Sequence, residues 1–484
     1  MRLKCVLVNP VQLVHPPVGL LSVAAVLESN GCSVSVRELP SRHIVDFNAS
    51  LADLMKYIEN ERPEMIGITC MAAQCGEVKE IVSALKAGRF SGKIVIGGVH
   101  PSFMTEEVMG WGPDYVVMDE GEETIAELAG AVSSGSDVSG IRGIAYKRAD
   151  EIILNEKRGP VVDLDKLPLP AYHLLDKRRF TTRKGVIRGR WLKSGWIMTS
   201  RGCPSSCIFC SAHRMFGKKV RARGMDGIFR EIALLVENYG IEAFVITDDT
   251  FVVKKDRVLD FCRRIKKEFP GLKWNCQARV NMFDDEIARA LKDANCIQVD
   301  FGVESGSQRV LDGLRKGIRA EDTVRAFDAC RAAGLRTLAT LIIGNPGEEE
   351  EDLIKTKALI ERIKPDFCLT YYATPFPGTE LYRIAEGLGL MDAGDRYWHQ
   401  YTEPVPMSNV DAKKLKKYLR DFTRLKITGN YLTNPLFLTD MAYFGVLNPG
   451  IAFRIFSKLA AGRVEEALFL ITNSMYFKRQ GQTA

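Results

Sequence analysis

Two long stretches of the chain alternate short β-branched apolar runs with segments of helical periodicity. In the first stretch, of about 130 residues, the helical segments include 19–30, 51–60 and 77–87. The apolar runs between them are KCVLVNP, SVSVREL, MIGITC, KIVIGG and YVVMDEG. Short buried strands separated by helices predict an α/β fold with a parallel, doubly wound sheet. Ligands bind such sheets at the carboxyl ends of the strands.

Three of these strand ends carry small or capping residues and open toward a helix. They are Thr69-Cys70-Met71-Ala72-Ala73, Gly97-Gly98-Val99-His100-Pro101 and Glu120-Gly121-Glu122-Glu123-Thr124. Such residues allow the backbone to approach a large flat ligand. Ordinary turns give the same pattern, so both interpretations stay open at this point.

A second α/β series begins at about residue 195. Its six strand-like runs are SGWIMTS, FVITDDT, LKWNCQARV, CIQVDFGVES, RTLATLIIG and FCLTYYATP. Six strands with intervening helices predict a complete or partial TIM barrel, whose site lies at the carboxyl ends of the strands. The two series are separated by prolines at 168 and 170 and by the basic run KRRFTTRKGVIRGR, which predict a linker.

The last hundred residues change character. DAKKLKKYLRDFTRLKI is amphipathic and basic, and from Pro435 the chain is rich in Phe, Leu and Ile. We expect a helical C-terminal extension that packs on the barrel, binds an apolar substrate or makes peripheral contact with a membrane surface. The predicted organisation is therefore 1–140 for the first α/β domain, 141–194 for the linker, 195–385 for the barrel and 386–484 for the extension.

Composition narrows the class of protein only a little. The 484 residues are 46% hydrophobic and 26% charged, which is typical of globular domains. A net charge of +7, from 67 basic and 60 acidic residues, does not argue for nucleic acid as a partner. The N-terminal sequence has no signal-peptide pattern, and no run of apolar residues is long enough for a transmembrane helix. We therefore expect a cytoplasmic, reducing environment.

Three of the twelve cysteines stand within eight positions, in the stretch RGCPSSCIFCSA. Cys203, Cys207 and Cys210 are one thiol short of a closed tetrahedral zinc site, and the fourth ligand would have to be a distant residue such as His213. An iron–sulfur cubane favours thiolate ligands, and three of them leave one iron open to another molecule. The other nine cysteines are dispersed, and we expect them to be small buried core residues.

The motif CPSSCIFC, in the loop after the first barrel strand, resembles the cluster motif of the radical S-adenosylmethionine (SAM) superfamily. In that family a [4Fe–4S] cluster binds SAM at its open iron and cleaves it to a 5′-deoxyadenosyl radical. Later segments resemble the family's SAM contacts in order, although Asp248 and Asp249 replace the Gly-Gly-Glu form common elsewhere. The resemblance assigns to SAM the residues Phe209, Asp248, Asp249, Gln277, Arg279, Glu304, Ser305, Gly344 and Pro346.

A doubly wound Rossmann-like domain before such a barrel is similar to the cobalamin-binding domain of the class that includes the anaerobic magnesium-protoporphyrin monomethyl ester cyclase and radical methyltransferases. The resemblance covers roughly residues 1–385. It assigns to cobalamin the residues Thr69, Met71, Gly97, Gly98, His100, Pro101, Glu120, Gly121, Glu122 and Thr124. The Asp-x-His-x-x-Gly motif that supplies an axial histidine in other cobalamin proteins is missing, as it is in many members of this class.

The resemblance implies an enzyme that methylates an unactivated carbon of a hydrophobic or anionic small molecule. It uses a [4Fe–4S] cluster, SAM, cobalamin and an external electron donor such as flavodoxin or ferredoxin. A cyclase or rearrangement enzyme that transfers no methyl group is an alternative, with a tetrapyrrole-like substrate. A corrinoid or redox binding protein without turnover is a second alternative. The basic residues Arg188, Arg190 and Lys193 and the apolar tail from Pro435 to Phe477 are the substrate-binding candidates.

Overall fold

The computed structural model describes residues 3–13, 15–42, 46–187, 190, 192–391 and 403–426, together with residues 453, 456–458 and 460. Arg188 and nearly all of the apolar segment from Pro435 to Phe477 lie outside the described residues, so the predictions made for them are not addressed below.

Seven strands form the N-terminal sheet. They are β1 (Lys4–Asn9), β2 (Ser33–Glu38), β3 (Met65–Thr69), β4 (Lys93–Gly97), β5 (Tyr115–Val117), β6 (Ile144–Arg148) and β7 (Glu151–Leu154). Their spatial order is β2-β1-β3-β4-β5-β6-β7, and β1 to β5 are parallel. The strand order reverses between β1 and β3, which is the point where doubly wound sheets bind ligands.

The last two strands of this sheet, β6 and β7, are antiparallel and lie within the segment 141–194. The sequence analysis did not identify them, because both are short and carry charged residues at their ends. β6 pairs with β5 and thereby covers an edge that would otherwise expose unpaired backbone groups.

Helices cover both faces of the N-terminal sheet, as the alternating pattern predicts. They are α1 (Val18–Ser29), α2 (Phe47–Glu61), α3 (Cys75–Ala87), α4 (Val99–Phe103), α5 (Thr105–Gly110) and α6 (Glu122–Ser134). Two apolar cores result, one on each face of the sheet. β1 and β3 are buried along nearly their whole length, which explains why their sequences are continuous apolar runs.

The second half of the structure begins with a short helix, α7 (Arg178–Thr181), and its strands are β8 (Ser194–Ile197), β9 (Ser200–Arg201), β10 (Arg221–Ala222), β11 (Ala243–Ile246), β12 (Lys273–Ala278), β13 (Cys296–Glu304), β14 (Arg336–Ile343) and β15 (Phe367–Tyr372). Six of them form a parallel sheet in the order β15-β14-β13-β12-β11-β8. β9 and β10 form a separate antiparallel pair. Since β8 and β15 are opposite edges of the sheet, the barrel is partial rather than closed.

The helices of this half pack around the second sheet. They are α8 (Ala212–Met215), α9 (Met225–Tyr239), α10 (Lys255–Glu268), α11 (Asp285–Asp293), α12 (Gln308–Gly313), α13 (Ala320–Ala333), α14 (Glu350–Ile363), α15 (Glu380–Gly387) and α16 (Ala412–Lys426). The core beneath them contains fully buried large aromatic side chains such as Trp274, Phe261 and Phe301. Dispersed cysteines such as Cys276 and Cys330 are buried in the same core.

The amphipathic helix of the C-terminal extension, α16, packs on the barrel. Leu415 and Phe422 are 1% and 0% exposed and belong to the barrel core. Lys414 on the outer side pairs with Glu350 of α14 at 2.5 Å. The core-packing interpretation therefore describes this helix. Among the described residues, no helix combines the length and the apolar character that crossing a bilayer requires.

Candidate active site between the two sheets

The three clustered cysteines lie in one loop that β9 and β10 hold at its base. Gly202, between β9 and Cys203, has φ +100°, and a Cβ atom there would lie 2.6 Å from the carbonyl oxygen of Lys219. Glycine is therefore required for the chain to turn out of β9 beside the returning strand. The Cys203 N–H donates to the carbonyl of Gly217 at 3.2 Å, which closes the base of the loop.

The middle of the loop is anchored by Ile208, which is buried in a small apolar cluster. Its N–H donates to the carbonyl of Leu314 at 3.0 Å, and its own carbonyl accepts from the N–H of Leu381 at 2.8 Å. The apolar residue inside CPSSCIFC thus fixes the loop to the residue that follows α12 and to α15.

The thiols have the surroundings expected of cluster ligands. Cys207 is buried, while Cys203 and Cys210 are partly exposed. The Cys207 sulfur lies 3.8 Å from Nη1 of Arg279, and the Cys210 sulfur accepts from the N–H of Ala212 at 3.5 Å. Hydrogen bonds of this kind tune the sulfur ligands of iron–sulfur clusters.

Burial raises the pKa of the Cys210 thiol to about 11, and Asp249, Cys207 and Cys203 add to the effect. Binding a metal centre would displace the proton of this thiol. Among the described residues, no group of three or more His, Cys, Asp or Glu side chains could hold a metal ion in the geometry that the structure shows.

A buried ion pair lies beside the aromatic ring of the cysteine motif. Lys316 Nζ lies 2.6 Å from Oε1 of Glu304 and 5.6 Å from the centre of the Phe209 ring. Arg279 also donates from Nη2 to the carbonyl of Lys316. Glu304 has φ +61°, a left-handed conformation that is uncommon for a non-glycine residue and clusters at functional sites. Lys316 was missed by the sequence analysis, because it lies on a loop with no motif around it.

Other residues assigned to SAM differ in their surroundings. The Asp248 carboxylate is fully enclosed and accepts from the backbone and hydroxyl of Thr199 and from the hydroxyl of Ser200. The hydroxyl of Ser305 is likewise buried against that of Thr356, at 3.1 Å. The Asp248 carboxylate thus joins the segments that follow β8 and β11, and the Ser305 hydroxyl joins the end of β13 to α14.

Asp249 and Gln277 are exposed residues. The groups around the Asp249 carboxyl nevertheless desolvate it in part, and this desolvation, followed by repulsion from Asp248, raises its pKa to about 6.

A carboxylate holds the Gly344 turn from within. The Gly344 N–H donates to Oε2 of Glu348 at 2.6 Å. Burial raises the pKa of Glu348 to about 7. Pro346 is partly exposed in the same turn.

A cavity of about 470 Å³ lies between the N-terminal sheet and the cysteine-bearing loop. On one side it is lined by the carboxyl ends of β1, β3, β4 and β5, and on the other by Met198, Arg201, Met215 and Phe216. Its size is in the range of small-molecule and cofactor sites, and its walls are mostly apolar. The cavity contains the point where the strand order of the sheet reverses.

Most residues assigned to cobalamin line this cavity. The lining members are Thr69, Met71, Gly97, Gly98, Glu120, Gly121 and Glu122. The other three, His100, Pro101 and Thr124, are buried and are not among the lining residues. His100 stacks on Trp111 with 5.8 Å between ring centres, and the Thr124 hydroxyl donates to the carbonyl of Arg142 at 3.2 Å. Both side chains hold the N-terminal domain together.

Gly98 shows how closely the backbone packs at this wall. Its φ is +114°, and a Cβ atom would lie 2.8 Å from the carbonyl oxygen of Cys70 and 3.2 Å from Oγ1 of Thr69. Any side chain would push the turn after β4 away from the end of β3. The glycine therefore keeps a smooth wall of backbone, which suits a large flat macrocycle.

The residues present have the chemistry that all three expected cofactors require. Cys203, Cys207 and Cys210 lie on one loop and would hold the cluster, with Arg279 beside the sulfur of Cys207. The strand ends of the N-terminal sheet would hold the corrin in the cavity. SAM would bind at the open iron, beside Phe209 and Glu304.

Comparisons with known proteins agree with this geometry. Residues 4–129 match the family model described as the B12 binding domain, and residues 197–360 match that of the Radical SAM superfamily. An uncharacterized methyltransferase of Pyrococcus horikoshii is 32% identical over 413 residues, which cover 84% of this chain and 86% of that protein. The chain belongs to the radical SAM superfamily and carries an N-terminal B12 binding domain. The resemblance drawn from CPSSCIFC is confirmed.

Further relatives and structures share this organisation. The anaerobic magnesium-protoporphyrin IX monomethyl ester cyclase of Rubrivivax gelatinosus is 25% identical over 390 residues, covering 77% of this chain and 68% of the cyclase. The structure of the radical SAM methyltransferase TsrM from Kitasatospora setae, with cobalamin and a [4Fe–4S] cluster bound, superposes with a TM-score of 0.67. It is 24% identical and covers 81% of this chain and 80% of TsrM.

The cobalamin-dependent SAM radical enzyme OxsB gives a TM-score of 0.69 at 16% identity, covering 98% of this chain and 75% of OxsB. TsrM and OxsB show the shared fold. As a radical SAM protein with a B12 binding domain, this enzyme uses a [4Fe–4S] cluster, SAM and cobalamin.

Proposed function

We propose that this enzyme is a cobalamin-dependent methyltransferase that methylates an unactivated carbon of a hydrophobic small molecule. The observation that carries the proposal is a cavity to which both halves of the chain contribute. Strand ends of the B12 binding domain form one wall, and Met198, Arg201, Met215 and Phe216, which flank or belong to the cysteine loop, form the other. A methyl donor and a radical source held on opposite walls of one cavity can act on one substrate.

When bound, the cofactors supply the radical and the methyl group, and the protein supplies position and exclusion of water. The apolar wall would exclude water, since Leu13 and Met71 present their side chains to the cavity. His15 and Asn9 are polar members of the same wall and can orient a ligand by hydrogen bonds.

The character of the wall favours a hydrophobic substrate over an anionic one. Of the basic residues first considered as anion-binding candidates, Arg190 and Lys193 are described and neither lines the cavity. Arg201 does line the cavity, but its charge is compensated by Glu120 and Glu122. We propose peripheral membrane contact only for the segment that follows Lys426.

The reductant proposed for the cluster is a flavodoxin or ferredoxin. Both are small electron carriers, and the cluster must accept one electron before SAM is cleaved. The partly exposed Cys203 and Cys210 support this, because they place two edges of the cluster loop near the surface of the cleft.

Methyl transfer can be tested with isotopically labelled SAM. The reconstituted, reduced enzyme would be incubated with a small-molecule extract and with SAM that carries a trideuteromethyl group, and the products analysed by mass spectrometry. Transfer of the labelled methyl group to an extract component, with formation of 5′-deoxyadenosine, supports the proposal. The Cys207→Ala variant is the control and should show neither product.

Two other outcomes would overturn methyl transfer. A substrate that loses hydrogen and gains no label would indicate a cyclase or other oxidative reaction, as in the magnesium-protoporphyrin relative. Absence of 5′-deoxyadenosine above the level of the Cys207→Ala variant would indicate a corrinoid or redox binding protein without turnover.

A further inference from the structure

Four charged side chains join the cobalamin cavity to the base of the cluster loop. Arg201 donates from Nη1 to Oε2 of Glu120 at 2.9 Å and from Nη2 to Oε1 of Glu122 at 2.6 Å. Arg221 donates to both oxygens of Glu120, at 3.0 Å from Nη1 to Oε2 and through a second bond from Nη2 to Oε1. We refer to Glu120, Glu122, Arg201 and Arg221 as the carboxylate–arginine clamp.

The clamp is buried and balanced in charge. The side chains of Glu120 and Glu122 are 2% and 5% exposed, and those of Arg201 and Arg221 are 9% exposed. Two carboxylates face two guanidiniums, and the N–H of Val161 also donates to Oε2 of Glu120, at 3.3 Å. Removing a partner from a buried pair leaves an uncompensated charge, so the clamp has one favoured geometry.

The two arginines of the clamp connect it to the cluster loop. Arg201 and Arg221 are paired across the β9–β10 ribbon, and Arg201 is separated from Cys203 only by Gly202. Arg221 Nη2 donates to the carbonyl of Phe216 at 2.9 Å, within the segment that returns from the cysteines. Arg201 and Arg221 therefore fix the chain on both sides of the cluster loop.

The two carboxylates of the clamp connect it to the cobalamin cavity. Glu120 and Glu122 flank the turn between β5 and α6 and line the cavity assigned to cobalamin. A shift of the corrin-binding wall is thus transmitted to the cluster loop through charge-assisted hydrogen bonds rather than through a flexible linker.

We propose that Glu120 and Glu122 are positioning residues that fix the cluster relative to the cobalamin cobalt. This inference rests on the proposed function, because it assumes that both cofactors are bound at once. It assigns the two carboxylates a role in geometry through Arg201 and Arg221, in addition to any contact that their backbone makes with the corrin.

The clamp is distinct from a general connection between the domains, which other contacts provide. Trp196 Nε1 donates to Nδ1 of His15 at 2.6 Å, and Arg179 pairs with Glu38 at 3.1 Å. Arg214 donates to the carbonyl of Gly378 and lies over the Phe103 ring. We therefore expect the domains to stay docked when one clamp carboxylate is changed.

The test measures geometry directly and needs no substrate. The protein would be reconstituted with its cluster and with hydroxocobalamin and then reduced to cob(II)alamin and [4Fe–4S]⁺, which both carry an unpaired electron. The magnetic interaction between the two spins would be measured by EPR for the wild-type protein and for Glu122→Gln, which removes one charge and preserves the side-chain shape. We expect a single, well-defined interaction in the wild type and at least a twofold broader distribution in Glu122→Gln.

Glu123→Gln is the matched control, because Glu123 is the next residue, is 51% exposed and pairs with Arg158 rather than with the loop. It should retain the wild-type interaction. Glu122→Asp preserves the charge with a shorter reach and should give an intermediate distribution.

Wild-type spectra from Glu122→Gln with both cofactors bound would overturn the positioning role and leave the proposed function intact. Failure of both Glu122 variants to fold or to bind the cofactors would also overturn it, because the pair would then be required for the fold itself. A wild-type protein that binds no cobalamin would overturn both proposals.

Discussion

The indole N–H of Trp196 donates a hydrogen bond of 2.6 Å to Nδ1 of His15, across the boundary between the two sheets. A neutral imidazole has one protonated and one unprotonated nitrogen. Since Nδ1 is the acceptor here, the proton lies on Nε2, and the ring has no second lone pair for a metal. His15 lines the cobalamin cavity, so its available nitrogen is a hydrogen-bond donor to a cavity ligand.

The first prediction is that His15 does not coordinate cobalt. Uniform ¹⁵N labelling of the histidines should leave the nitrogen hyperfine pattern of the bound cob(II)alamin unchanged in the EPR spectrum. A change from a triplet to a doublet splitting on labelling would show histidine ligation and contradict the prediction. His15→Ala should lower cobalamin affinity without altering the pattern.

The second prediction concerns pH. Burial, with the nearby charge of Arg179, lowers the pKa of His15 below its ordinary value of 6.5. The unfolded chain therefore binds a proton at this residue at pH values where the folded protein does not, and stability falls as pH decreases below about 6.5. Thermal unfolding of wild type and His15→Gln between about pH 5 and 7 should show a weaker loss in the variant. Identical pH profiles would contradict this assignment.

The third prediction tests the cluster ligands. Cys207→Ala should abolish the iron–sulfur absorption at about 400 nm and the formation of 5′-deoxyadenosine, because the cubane loses a ligand. Cys330→Ala is the control. Its thiol is fully buried in the barrel core, so this change should cost about 1 kcal/mol of stability and leave the absorption intact. Retention of both absorption and activity in Cys207→Ala would exclude the ligand role.

The fourth prediction addresses the buried pair of Lys316 and Glu304, whose side chains are 8% and 6% exposed. Lys316→Met leaves a buried carboxylate without its partner and should reduce the free energy of unfolding by about 3–5 kcal/mol. The double variant Lys316→Met/Glu304→Gln should lose less, because the uncompensated charge is gone. Urea unfolding of both variants checks this, and a double variant less stable than Lys316→Met would refute the coupling.

The fifth prediction concerns α16. Phe422 is fully buried on the barrel, so Phe422→Ala should cost about 3–5 kcal/mol of stability. Lys417→Ala, on the exposed side of the same helix, should be close to neutral. Equal effects in thermal unfolding would show that the helix does not pack on the barrel in solution.

Local patterns determined much of this protein. The two α/β series could be predicted, because each buried strand is a short apolar run in the sequence. The cysteine-bearing loop could be predicted from three cysteines within eight positions. The strands β6 and β7 were not predicted, because short and partly charged edge strands have only a weak alternation of apolar and polar residues. Gly98 stands in a stretch that the sequence identified as a possible turn, whereas Gly202 was not identified. The steric need for either glycine depends on Cys70 or Lys219, which are distant in sequence.

The tertiary structure alone decided which side chains meet. Arg201 is 81 positions from Glu120, and Trp196 is 181 positions from His15, so no spacing rule relates them. It also decided that the Asp248 carboxylate is enclosed by Thr199 and Ser200 and that His100 packs inside its own domain. The physical reason is that pairing of buried charges and hydrogen-bonding groups depends on distance in space, which the order of residues determines only through the complete fold.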